Sequence, residues 1–287
     1  MQKWLPLNLE NVYSQFGEDS ILKAIFERIP ANQNGVRTCV EFGAWDGLHF
    51  SNTANLVKNH HWNGIFIESD VNKFHDLVNN FNSSSTTCIN SLVQFSGEYT
   101  LDKILSRVNT ASEIDLISID IDGCDYWILE SIELFLPKVF VIEFNPTIHN
   151  SVEYIQERNM EIAHGSSLKS IAKLAKQKGY ELVATSLCNA FLIKECFADK
   201  FLNDEKTIDD IHSSVYSNYI WTAYDGTIMI QKDLEMPWQN LKVHQSKFQV
   251  LPKLLRKFPD SYSLPEKLLF KLISRLKKLD KLWMTNV

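Results

Sequence analysis

Val40-Glu41-Phe42-Gly43-Ala44-Trp45-Asp46-Gly47 decides how the chain is read. It closes an apolar run, Thr38-Cys39-Val40-Glu41-Phe42, that reads as a buried strand, and it passes directly into a glycine turn. The pattern is E-x-G-x-x-x-G. Glycine at a strand-to-loop turn takes φ > 0 and has no Cβ, so a ligand can lie against the backbone. The loop falls at the carboxyl end of its strand, where open α/β sheets bind ligands. The acidic side chain can receive a cation or a hydroxyl. G-x-G-x-x-G is absent here, so the dinucleotide fingerprint is not met.

Before this stretch, residues 1–13 read as a polar arm. Tyr13-Ser14-Gln15-Phe16-Gly17-Glu18-Asp19 then enters a helix whose stripe is Ile21, Leu22, Ile25 and Phe26. After it, Ser51-Asn52-Thr53 starts a second helix. Trp62 to Asp70 is a turn and a buried strand with an acidic end. Glu68 stands 27 residues beyond Glu41. In a nucleotide-binding βαβ unit an acid at this strand end, typically about 20 residues beyond the loop, takes the ribose hydroxyls. The alternative is a solvated strand-end carboxylate.

Strands and helices continue to alternate. Helices are expected over 72–81, 101–108, 126–136 and 168–178, and strands over 86–90, 114–123, 138–146, 181–185 and 190–193. The continuous apolar runs suit a parallel sheet covered on both faces. The last two strands lie close enough to form an antiparallel hairpin around Cys188-Asn189.

Composition fits one large α/β domain with additions: 287 residues, 45% hydrophobic and 22% charged. The net charge of −6 disfavours bulk nucleic-acid binding. It hides an asymmetry, because from Lys253 onward there are nine Lys/Arg against three Asp/Glu. Five widely spaced cysteines without C-x-x-C argue against a disulfide framework and a zinc knuckle. Neither a signal peptide nor a run of about 20 apolar residues is visible. The expectation is a cytoplasmic protein.

Several polar groups fall at strand carboxyl ends: Glu41, Glu68, Asp120, Asp122, Glu143 and Asn145. A parallel sheet brings such ends to one edge. Asp122, or Asp120 in its place, with Glu143 and Asn145 offers hard oxygen ligands suited to Mg²⁺ or Mn²⁺, and such an ion would lower the pKa of an attacking hydroxyl. The same groups without metal would orient a substrate hydroxyl, with Asp120 or Asp122 as general base. Asp122 also suits a turn before Gly123. His149, after the strand over 138–146, is a further candidate base, the alternative being a surface loop histidine. The D-x-D step at Asp120–Asp122 leaves open a metal-dependent nucleotide-sugar enzyme. A scaffold without catalysis is a third reading, against which the intact acidic edge argues.

Taken together, Ser14-Gln15-Phe16-Gly17-Glu18-Asp19, the Val40–Gly47 stretch followed by Ser51-Asn52-Thr53, Ile119-Asp120-Ile121-Asp122-Gly123 and Asn189-Ala190-Phe191-Leu192 resemble the FkbM-type methyltransferases over roughly residues 13–195. The resemblance implies a Rossmann-like methyltransferase sheet, mostly parallel with a terminal antiparallel hairpin and helices on both faces. It implies S-adenosylmethionine as methyl donor and transfer to an oxygen, often on a sugar or glycan. Glu41, Gly43 and Gly47 would border the methionine part of the cofactor, with Ala44 and Asn52 beside them. Glu68 would hold the ribose, and Asp120 would face the sulfonium and the acceptor. Trp45 and Asp46 depart from that family's more usual small or amide residues.

The resulting division is a Rossmann-like domain over 1–198 (1–35 its arm and first helix), a lid or acceptor-binding extension over 199–250, and a basic amphipathic tail over 251–287. Within the extension, 219–223 and 227–231 read as a hairpin around Asp225-Gly226. In the tail, Leu264, Leu268, Leu269, Leu272, Ile273, Leu276, Leu279, Leu282 and Trp283 form an apolar stripe among Lys and Arg. That pattern suits an interfacial helix on an anionic membrane, here the inner membrane face. The alternative is a helix docked on its own domain or on a partner subunit.

Overall fold

A computed structural model describes residues 4–6, 8–31, 35–108, 113–202 and 206–284, with side chains of the last helix described through Leu276. The chain divides into two compact units, 1–215 and 216–287.

The first unit is built on a seven-stranded sheet. Helix α1 (Glu18–Phe26) precedes β1 (Thr38–Phe42), α2 (Ala54–His60), β2 (Asn63–Glu68), α3 (Val71–Asn80) and β3 (Thr86–Asn90). Then come α4 (Leu101–Arg107), β4 (Leu116–Ile119), α5 (Asp125–Ser131), β5 (Val139–Glu143), α6 (Leu168–Gln177), β6 (Tyr180–Thr185), β7 (Asn189–Lys194) and a short α7 (Ile208–Ile211). The strand order is β3-β2-β1-β4-β5-β7-β6. β1 to β5 pair in parallel, and β7 runs antiparallel between β5 and β6. This is the Rossmann-like methyltransferase sheet, with the reversed strand in the terminal hairpin that the sequence leads one to expect.

The apolar runs are continuous because both faces are covered. In β5, Phe140 and Ile142 point into one core with Leu101, Ile104, Ile128, Leu129, Leu168 and Ile171 of α4, α5 and α6. Val139 and Val141 point into the other, with Ile21, Leu22 and Ile25 of α1, Ala54 and Leu56 of α2 and Leu77 of α3. Alternation along each strand thus sends successive side chains to opposite layers.

One helix is shorter than its pattern. The apolar residues through Leu136 read as one helix, but α5 stops at Ser131. Buried Asp102 on α4 accepts hydrogen bonds from the backbone N–H groups of Glu133 (2.8 Å), Leu134 (3.0 Å) and Phe135 (3.2 Å). A carboxylate collecting three donors offers this segment an alternative to the helical ladder.

In the second unit β8 (Ile220–Thr222) and β9 (Ile228–Ile230) form the expected hairpin, and a second one, β10 (Leu234–Met236) with β11 (Leu241–Val243), follows. Helix α8 (Leu264–Met284) closes the chain. Ser263 starts it: its N–H and hydroxyl both donate to Glu266 Oε2 at 2.8 Å.

Candidate functional site

The strand order reverses between β1 and β4, and ligands of open α/β sheets bind outside the carboxyl ends at such a switch point. Here the loops after β1 and β4 touch. Gly43 has φ 72°, and a Cβ on it would sit 3.0 Å from the Asp120 carbonyl carbon and inside contact distance of its oxygen. Gly43 therefore lets two backbones meet. Gly47, with φ 78°, lies against Phe81 and Leu77, so it serves packing on α3. Ala44 is buried beside it and donates its N–H to the Ile67 carbonyl at 3.2 Å.

Glu41 is buried, and its oxygens are engaged within the protein. Oε2 accepts from Ser51 Oγ (2.5 Å) and Thr53 Oγ1 (2.6 Å), and Oε1 from the Asn52 N–H (2.9 Å). The Asn52 amide in turn donates to Ser118 Oγ on β4 at 3.1 Å. Ser51 Oγ also accepts the N–H of Ala54, the first residue of α2. Glu41 thus positions the loop that opens α2. Burial raises its pKa, and the hydroxyl and N–H donors counter this. Glu41→Ala is expected to cost about 3 kcal/mol, because several charge-assisted hydrogen bonds disappear together. A urea melt measures this, and a variant within about 0.5 kcal/mol of the parent would contradict it.

Glu68 ends β2 at the same edge. Its Oε2 accepts the Trp45 N–H and its Oε1 the Asp70 N–H, both at 2.7 Å. A carboxylate has about four lone-pair sites, so acceptor capacity remains for ribose hydroxyls. Trp45 itself has φ 52° and a half-exposed ring, over which Lys73 Nζ lies 4.4 Å from the centroid.

The third side of the site is acidic. Asp120, Asp122 and Glu143 each bring a carboxylate oxygen to within 4.8 Å of the others. Asp122 is exposed, with φ 56°. Asp125, at the start of α5, holds the turn by accepting the N–H groups of Ile121 (3.0 Å) and Gly123 (2.9 Å). Burial is the main cause that raises the carboxyls of Asp120, Asp125 and Glu143, and neighbouring acids add to it. Asp120 rises well above the usual range, with Asp125, Asp122, Glu41 and Glu18 as neighbours. Glu143 is pushed up to about 10 and Asp125 to about 6. From the far side, buried Glu18 accepts the Asn189 amide at 3.2 Å.

The opposite end of the sheet shows what is different here. Buried Asp115, before β4, has Lys138 at 2.8 Å and Arg37 at 4.0 Å. Among the described residues, no ion pair reaches Glu18, Glu41, Asp120, Asp122, Asp125 or Glu143.

Two expected site residues are used elsewhere. Asn145 donates its amide to the His164 carbonyl (2.7 Å) and accepts from Thr147 N (2.9 Å) and Oγ1 (2.6 Å). Its side chain closes its own turn, while Asp120, Asp122 and Glu143 stand together. His149 Nδ1 accepts the Ser151 N–H at 3.1 Å and meets Ser151 Oγ at 2.8 Å, which caps its loop. Beside Asn145, a hollow of about 500 Å³ is lined by Asn145, Ile148, Val152, Tyr154, Ala163 and His164.

No protein-family model matches the chain, and no curated protein does either. Solved structures similar to it include the CMeT domain of the citrinin polyketide synthase, at 11% identity and TM-score 0.39, over 62% of this chain and 51% of that one. An O-methyltransferase family protein from Burkholderia thailandensis is similar at 11% identity and TM-score 0.38, over 55% and 50%. A TehB-like SAM-dependent methyltransferase from Corynebacterium glutamicum is similar at 13% and 0.37, over 62% and 87%. The chain spans about half the length of the first two. The strand order, rather than these likenesses, defines the class of fold.

Proposed function

We propose that the chain is an S-adenosylmethionine-dependent O-methyltransferase and that its acceptor is a hydroxyl of a sugar in a glycan or polysaccharide. The observation that carries the reading is a set of carboxyls at the switch point, from buried Glu41 and Asp125 to partly buried Asp120 and Glu143, with no Lys or Arg paired to them among the described residues, while the acid at the other end of the sheet has two cations. Such a site favours a positively charged ligand and resists an anionic one. The donor set therefore fits S-adenosylmethionine, which when bound supplies an already activated methyl group on a cationic sulfur. Glu68 would hold the ribose hydroxyls, and Asp120 and Glu143 would face the positive charge. Glu41 and Asn52 act one step back, by fixing the loop. Methyl transfer from an activated donor asks mainly for in-line placement of the acceptor oxygen. Asp120 is raised in the free protein by burial and by its acidic neighbours; a cationic donor beside it favours the carboxylate, which can then take the hydroxyl proton. The sugar acceptor rests on the sequence resemblance. The hollow beside Asn145, with the Tyr154 ring on its wall, supports it by offering a partly apolar face of suitable size.

The three-carboxylate geometry of Asp120, Asp122 and Glu143 favours a second reading, in which Mg²⁺ or Mn²⁺ sits among them. A metal there would also suit a nucleotide-sugar enzyme. Calorimetric titration separates the readings. Binding of S-adenosylmethionine and its demethylated product, weakened about 100-fold in Glu68→Ala by the loss of charge-assisted hydrogen bonds worth ~3 kcal/mol, supports the methyl-transfer reading. Binding of a UDP-sugar with Mn²⁺ in place of the adenosyl ligands would defeat it. Activity that survives a chelator would remove the metal.

A further inference from the structure

We propose that the exposed face of α8 lays the second unit onto an anionic lipid surface. At about 100° per residue the described part of α8 divides into three sectors. Leu269, Phe270 and Ile273 are half-buried on one side, where Tyr262 lies 5.7 Å from Phe270 between ring centroids and Lys257 is bonded to Glu266 at 2.7 Å. The helix is thus docked by one side, as the alternative reading of the tail requires.

Docking leaves a second sector uncovered. Leu264, Leu268, Leu272 and Leu276 are exposed by 78%, 68%, 56% and 53%. These leucines recur every fourth residue and sweep an arc of roughly 120°. The third sector, next to them, carries exposed Lys267, Lys271 and Arg275. An apolar face bordered by a basic one is what an interfacial helix presents: leucines enter the acyl boundary while the cations stay at the headgroups. Charge selects the partner, because the segment from Lys253 onward has nine Lys/Arg against three Asp/Glu. A basic segment near an anionic leaflet gains from each Lys or Arg.

A second copy fits this face less well. A coiled-coil seam needs apolar residues at alternating three- and four-residue steps along a narrow stripe, whereas these leucines step by four across a broad arc. Two such faces would also bring their basic flanks together. No described helix is long and apolar enough to cross a membrane, so the contact would be one of lying on the surface.

Sedimentation of the full chain with lipid vesicles tests this without reference to any reaction. The chain should pellet with phosphatidylcholine vesicles that contain phosphatidylglycerol, stay in solution with phosphatidylcholine alone, and be released by salt. The triple change Lys267→Gln, Lys271→Gln and Arg275→Gln should lower partitioning about 100-fold, since three basic residues leave the surface. Leu268→Ser with Leu272→Ser should lower it at least about tenfold. All five side chains are exposed, so thermal melts of the variants should match the parent. Failure to pellet with either vesicle, or pelleting that the triple change leaves intact, would overturn the proposal. A dimer in light scattering that Leu268→Ser with Leu272→Ser dissolves, in a chain that ignores vesicles, would place a second copy on this face and overturn it too.

Discussion

Gly43→Ala is expected to remove about 3–5 kcal/mol of stability and, with it, ligand binding. Two costs combine at this position. The left-handed φ of 72° disfavours any residue with a Cβ. The new methyl group would also meet the Asp120 carbonyl, which is backbone and has no rotamer to turn away. Because a domain holds only about 5–15 kcal/mol in total, the loss is large, and it falls where the β1 and β4 loops meet. Gly97 is the control. It has φ 82° and nothing within 4 Å of where a methyl group would stand, so Gly97→Ala meets only the backbone cost, about 1–2 kcal/mol. Urea denaturation of both variants gives the comparison. Equal losses would show that the loops are not in the tight contact described.

Glu143→Gln should make the ligand-free protein more stable at neutral pH, by about 2–3 kcal/mol. Unfolded, Glu143 is ionised above about pH 4; folded, its carboxyl is raised to about 10 by burial and by Asp120, Asp125 and Asp122. Folding at neutral pH must therefore bring a proton with it. The sign follows from linkage. The folded state holds more protons, so stability falls as pH rises from the ordinary carboxylate range, first through Asp125 at about 6 and onward toward 10. Glutamine needs no proton and removes most of that slope. Thermal melts of parent and variant from about pH 5 to about pH 8 should diverge with rising pH, and a variant that melts lower than the parent at neutral pH would contradict the account.

Much of the sheet is legible because its strands are continuous apolar runs bounded by turns, and because E-x-G-x-x-x-G marks the first loop. Legibility ends where a polar side chain serves the backbone. Glu41 reads as a ligand contact, yet Ser51, Asn52 and Thr53 all donate to it within the fold. Asn145 reads as a ligand, but Asn-Pro-Thr is also the signature of an asparagine that bonds two residues onward, and it does. Asp125 escapes notice because an acid in a helix's first turn ordinarily reads as a solvated partner of the dipole. Glu18 and Asn189 stand within the motifs that carry the resemblance, but their pairing spans 171 residues and no local pattern announces it. In the tail, periodicity marks the leucines and lysines, while only the packing of Leu269, Phe270 and Ile273 divides the stripe into a docked side and a free one.

The antiparallel strand between β5 and β6 has a consequence for how the protein is made. Sheet neighbours on the β1 side are complete once β5 has emerged, but β5 waits for a partner that lies about 45 residues later in the chain. Until Asn189–Lys194 is synthesised, Val139-Phe140-Val141-Ile142 offers an open, strongly apolar edge of the kind that templates aggregation. A nascent chain halted before Asn189 is therefore a natural client for chaperones, and one extended past Lys194 closes its own edge.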